Sequence, residues 1–97
     1  MEEKRTTPLT TRFELGLLVM TSGIKAALTS GEIACAVARH VQGDWGVVGP
    51  EDWQENENAL AEGWRIFSVY ETAKGLRHYV ITEADRSSTC VLLPEEY

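Results

Sequence analysis

Apolar side chains recur at period two over residues 13–20, where Phe13, Leu15, Leu17 and Val19 form one alternating set, and this predicts a strand. Ser22 fits the cap of a short helix over about 23–29. Ser30 fits the cap of a longer one, because Ile33, Ala36, Val37, His40 and Val41 follow the i, i+3, i+4, i+7, i+8 spacing of an amphipathic helix that Gly43 can end. That spacing sends His40 toward the core. Residues 43–50 form a glycine-rich connection, and Pro50 suits the first turn of a third helix over about 51–62 that stops at Gly63.

From Trp64 onward the period changes to that of strands. Trp64 to Glu71, Leu76 to Glu83 and Ser88 to Leu93 are separated by turns at 73–75 and 84–87 and read as a three-stranded meander. A three-residue loop with Gly75 in the left-handed region sets Glu71 opposite Arg77, Tyr70 opposite His78, Phe67 opposite Ile81 and Arg65 opposite Glu83. One face then carries Phe67, Val69, Tyr79 and Ile81, and the other Ile66, Tyr70, His78 and Val80. Neither is polar, so helices should cover one and something else part of the other. The predicted class is α+β, an antiparallel sheet of about four strands formed by the N-terminal strand and the C-terminal meander, with two to three helices between. Residues 1–12 are polar and read as a flexible arm, and residues 13–97 as a single domain.

Charge adds a constraint. Fifteen Asp and Glu against nine Lys and Arg give a net charge of −6, which disfavours generic attraction to phosphate backbones or anionic lipid and points to a basic electrostatic partner. Five of those carboxylates, Glu51, Asp52, Glu55, Glu57 and Glu62, fall in the third helical segment, which has no cation. At 100° per residue Glu51, Glu55 and Glu62 share one row, with Trp53 and Leu60 nearly opposite. Such a row is either a solvated face or the surface that meets a basic protein. Cys35 and Cys90 lie far apart in apolar stretches and read as buried free thiols. No apolar run is long enough to span a bilayer and the N-terminus lacks a signal-peptide pattern, so a cytoplasmic location is expected.

Two further groupings carry candidate chemistry. His40 and Asp44 flank Gly43, and Glu83, Asp85 and Arg86 crowd the second hairpin turn with the hydroxyls of Thr82, Ser87, Ser88 and Thr89, a set that could grip a phosphate or metal. Brought together, His40, Asp44, Glu83, Asp85 and Arg86 would give a small enzyme or ligand-binding pocket for nucleotides or nucleic acid. Taken separately they are a core histidine, a turn-capping aspartate and a self-satisfying hairpin turn, with Trp45 as a core plug. Neither histidine is at metal-ligand spacing, and no phosphate loop, nucleophile elbow or cofactor motif is present.

Arg39-His40-x-x-Gly43-Asp44-Trp45-Gly46, and then Ile81-Thr82-Glu83-Ala84-Asp85-Arg86-Ser87 running to Val91-Leu92-Leu93-Pro94-Glu95-Glu96-Tyr97, resemble a family of small, uncharacterised bacterial proteins. These are often labelled plasmid-related, and some are named after restriction-modification systems. The likeness covers about residues 13–97 and departs from the pattern at Arg77-His78-Tyr79, where a tryptophan is usual, and at Cys90, where threonine is usual. The resemblance implies a setting in mobile DNA, plasmid or phage, where small acidic proteins serve as inhibitors of host defence, of anti-CRISPR or antirestriction type. The expected function is therefore inhibition of a basic protein or nucleoprotein defence complex through Glu51, Asp52, Glu55, Glu57 and Glu62, without cofactor, membrane or direct nucleic-acid binding. The alternatives are the small enzyme above and a homodimeric accessory subunit paired through its second sheet face.

Overall fold

The structure, a computed structural model, describes residues 11–97, so most of the expected arm lies outside the described residues. In chain order the elements are β1 (Leu17–Met20), α1 (Ser22–Ala27), α2 (Ser30–Val41), α3 (Pro50–Glu62), β2 (Ile66–Glu71), β3 (Arg77–Thr82) and β4 (Ser88–Leu92), closed by a 3-10 turn at Pro94–Glu96. The fold is α+β. Its four-stranded sheet runs β1-β4-β3-β2, and it is mixed, because β1 lies parallel to β4 while the meander is antiparallel.

The β2–β3 register is the one that the charges require: Glu71 pairs with Arg77, Tyr70 with His78 and Phe67 with Ile81. One step beyond the ladder, Arg65 Nε lies 3.8 Å from a Glu83 carboxylate oxygen. Gly75 takes φ 85° in the three-residue turn. Alternation then buries Ile66, Ser68, Tyr70, His78, Val80 and Thr82 under the helices. On the other face the Phe67 and Tyr79 rings meet at a tilt of 56°, and Tyr97 from the C-terminal turn closes over both, at 5.4 and 6.0 Å between ring centroids. Two apolar clusters fill the helix-covered side. Ile24 of α1, Leu28 that caps it, and Ile33 and Ala36 of α2 meet Tyr70, Val80 and Val91, while Trp45, Ala59 and Ile66 pack with Phe13, Val48 and Leu60.

The N-terminal strand is shorter than its periodicity predicts. Gly16 sits at φ 65° with the carbonyls of Arg86 and Ser87 where a Cβ would stand, so only glycine fits there. That left-handed step resets the alternation. Phe13 and Leu15 are half-buried, while Leu17 and Val19 face out and Leu18 and Met20 turn toward α2. The helix caps also fall one residue earlier than expected. Thr21 accepts from the Ile24 amide, and Thr29 forms a full capping box with Glu32, so Ser22 and Ser30 are the first helical residues. Cys35 is exposed and Cys90 half-buried, which corrects the expectation of buried thiols: Cys35 lies off the Ile33–Ala36–His40 stripe, and Cys90 lies on the sheet face away from the helices. Arg12, counted with the arm, is tied down, since its amide donates to the Val41 carbonyl at 2.8 Å.

Candidate functional site

Helix α3 begins at Gly49 with Pro50 in its first turn, and Glu51 and Asp52 complement the helix dipole there. Its inner face is Asn56 and Ala59, flanked by half-buried Glu57 and Leu60. Asn56 holds the outer edge of β2, its amide donating to the Phe67 carbonyl at 2.8 Å and its oxygen accepting from the Phe67 N–H at 3.0 Å. Beside it Val47 N–H donates to the Val69 carbonyl and Val69 N–H to that of Trp45, so residues 45–47 cover the rest of this edge. Gly46, at φ 84° against the Val69 carbonyl and the Tyr70 ring, makes that approach possible.

The five carboxylates divide into two roles. Glu57 is used internally: both its oxygens accept from the Arg12 guanidinium at 3.0 Å and one accepts from Trp45 Nε1 at 2.9 Å. Arg12, then Trp45, holds its carboxyl below the usual range. Glu51, Asp52, Glu55 and Glu62 are exposed and make no ion pair among the described residues. Asp52 and Glu55 stand at the rim of a groove of about 490 Å³ between α3 and the edge of β2, with Val48, Asn56, Ala59, Phe67 and Val69 on its walls and exposed Trp64 and Arg65 at its end. Its carboxylates beside aliphatic and aromatic walls can take the alkyl stem and cationic head of a lysine or arginine, against the competing charge of Arg65, which Glu83 faces at 3.8 Å.

A second feature is the buried hydroxyl–imidazole chain beneath α2. His40 is fully buried, its Nδ1 2.6 Å from Ser68 Oγ and its Nε2 2.8 Å from Thr82 Oγ1. Thr82 lies 2.6 Å from Thr89 Oγ1, which donates to the Leu15 carbonyl at 2.7 Å. Each hydroxyl has one proton, so the directions follow from that carbonyl. Thr89 gives its proton to Leu15, hence Thr82 donates to Thr89, His40 Nε2–H donates to Thr82, and Ser68 donates to Nδ1. Burial, helped by the charge of Arg86, pushes the His40 pKa down to about 3, and the neutral ring matches this pattern.

The residues of the alternative pocket are all occupied elsewhere. Asp44 pairs with Arg39 at 2.7 and 3.3 Å and accepts from the Gly46 amide, and Arg39 first, then that amide, lowers its pKa. Glu83 faces Arg65, and Asp85 accepts from the Ser87 amide. Arg86, at φ 61°, donates to the carbonyls of Trp64, Glu83, Ala84 and Ala59, and so ties the second hairpin turn to the end of α3. His40, Trp45 and Arg86 all contact the Phe13 ring, which fills the space between them. Trp45 is the buried plug that its position suggests. No group of three or more His, Cys, Asp and Glu among the described residues is placed to hold a metal ion.

No protein-family model matches the chain, and neither curated proteins nor solved structures give a match. Ser68 carries no local signal in the sequence, whereas Thr82 and Thr89 stand there with the hydroxyls of the second hairpin turn and in the fold turn inward to His40 instead. The signal lay in the predicted register, which puts Ser68 and Thr82 on the same face as Tyr70 and Val80, with His40 as the only polar group directed at them from α2.

Proposed function

We propose that the protein is a cytoplasmic binding protein encoded by a mobile element, and that it inhibits a bacterial defence complex of anti-CRISPR or antirestriction target type by docking its acidic α3 surface on a basic protein face. The observation that carries the proposal is the row of Glu51, Glu55 and Glu62, with Asp52 beside it, all exposed and making no ion pair among the described residues, next to a groove with largely apolar walls. Four like charges on one side of a short helix repel one another, and lysines or arginines of a partner relieve that repulsion. The resemblance of residues 13–97 to plasmid-related proteins supplies the biological setting. The alternative of a small enzyme gains no support from the geometry, because the imidazole is sealed in the core and the other groups satisfy their own turns.

The test is capture of partners from a bacterial lysate on the immobilised protein, washed across a salt gradient and identified by mass spectrometry. A basic defence component is expected to be retained at low salt and released as salt rises. The Glu51→Lys/Glu55→Lys/Glu62→Lys protein should fail to retain it, and equal retention by the two proteins would overturn the proposal.

A further inference from the structure

Between α2 and the end of the β2–β3 hairpin lies a cavity of about 230 Å³ that neither the acidic surface nor the buried hydroxyl chain uses. Glu32, Cys35 and Arg39, at i, i+3 and i+7 on the helix, form one wall, and Tyr70, Glu71 and His78 stand on the other. Cys35 is an exposed, free thiol. His78 is 2% exposed, and its Nδ1–H donates to the Leu76 carbonyl at 3.1 Å. That bond leaves Nε2 of the neutral ring as a lone pair, which has no partner among the described residues. A buried acceptor in this state costs stability unless a donor reaches it. The spare capacity of the other groups has the same sense. Glu32 uses one oxygen on the Thr29 amide and Glu71 one oxygen on Arg77, and the second oxygen of each is unbonded among the described residues. Arg39 and Tyr70 are already committed: Arg39 pairs with Asp44 and lies 4.7 Å over the Tyr70 ring, and the Tyr70 O–H donates to the Asp44 carbonyl at 2.6 Å.

We propose that Cys35 is a modification site for small thiols bearing an ammonium group, joined to it by disulfide exchange and held with the ammonium in this cavity. The Cys35 thiolate attacks one sulfur of a small aminothiol disulfide. The new Sγ–S bond forms as the old S–S bond breaks, and the other half leaves as a thiolate that takes up a proton. The small disulfide is the oxidant, since its leaving half is reduced to the free thiol while Cys35 enters the mixed disulfide. An ammonium on a two-carbon stem brings three N–H donors to two carboxylate oxygens and the lone pair of His78. Cys90 offers no such site. It is half-buried on the opposite sheet face, where burial, then Glu96 and Glu83, hold its thiol above the usual range. No residue of α3 lines the cavity, so this site stands or falls independently of the acidic-surface proposal.

The test equilibrates the full chain with cystamine or, separately, with the anionic dithiodiacetate, each at a fixed ratio to its reduced thiol, and reads the adducts at Cys35 and Cys90 by peptide mass spectrometry. At Cys35 the ratio of cationic to anionic adduct should be about tenfold higher in the folded protein than in urea, the size of one charge-assisted hydrogen bond. Cys90 should be the less modified thiol. In His78→Phe the excess at Cys35 should fall, while iodoacetamide alkylates Cys35 at the wild-type rate. Equal ratios in folded and unfolded wild type overturn the proposal whether or not the variant folds. So does an excess that His78→Phe, folded by circular dichroism, leaves unchanged, since the cation would then be drawn by net charge alone. Modification of Cys90 in preference to Cys35 overturns it as well.

Discussion

Replacing Thr82 with valine keeps the side chain's shape and removes the one acceptor of His40 Nε2–H, at a site with no exposure at either residue. Thr89 loses a donor but keeps its own bond to the Leu15 carbonyl, so the cost centres on the imidazole. A buried donor without a partner costs about 1–3 kcal/mol. In a domain of this size about 2 kcal/mol lowers Tm by about 8–16 °C, at about 4–8 °C per kcal/mol. The measurement is thermal unfolding by circular dichroism, paired with 15N NMR of the histidine rings. In the wild type the His40 proton should reside on Nε2. In Thr82→Val the ring either keeps an unpaired Nε2–H or moves the proton to Nδ1, toward Ser68, and leaves Nε2 an unpaired acceptor, so one buried polar atom is orphaned in both cases and the spectrum reports which. A Tm within about 2 °C of wild type, or a wild-type ring carrying its proton on Nδ1, would refute the assigned directions.

Two further predictions follow from groups already placed. His40 has a folded pKa near 3 against about 6.5 unfolded, so the unfolded state binds the extra proton between those values. Stability is complete above about pH 6.5 and falls at up to about 1.36 kcal/mol per unit as pH drops toward 3, and in His40→Phe this contribution to the slope between pH 6.5 and 5 should vanish in denaturant titrations. Arg86 combines a left-handed backbone with donors to four carbonyls, so Arg86→Ala loses the bonds and keeps the strain, while Arg86→Gly loses the bonds and sheds it. Urea unfolding should rank wild type above Arg86→Gly, and Arg86→Gly above Arg86→Ala by about 1 kcal/mol; equal variants would mean that the positive φ costs nothing.

Much of the fold is written in local signals. Glu71 with Arg77 and Arg65 with Glu83 fix the hairpin register, because a slip by one residue would put every inward side chain of β2 on the other face. Pro50 and Gly63 bracket α3, and the Ile33–Ala36–His40 stripe orients α2. The direction of β1 is not legible in this way. Period two reports which faces alternate and says nothing of the partner strand, and the reset at Gly16 depends on carbonyls that arrive from residues 86 and 87. The division within the acidic segment is partly non-local: helix spacing already leaves Glu57 off the row of Glu51, Glu55 and Glu62, but its partners Arg12 and Trp45 arrive from elsewhere in the chain. For the same reason Arg86 reads as candidate chemistry in sequence and acts as a clamp on the end of α3 in the fold.

The central claim is that the free carboxylates of α3 form the binding surface, and the most direct measurement is the affinity of the captured partner as a function of salt for wild type and for Glu51→Lys/Glu55→Lys/Glu62→Lys. Turning three attractions of about 1 kcal/mol each into repulsions predicts binding weaker by about 100-fold or more at low salt, a gap that narrows as salt screens the charges. Thermal stability should stay close to wild type, because all three positions are exposed. Equal affinities at every salt concentration, with both proteins folded, would contradict the claim.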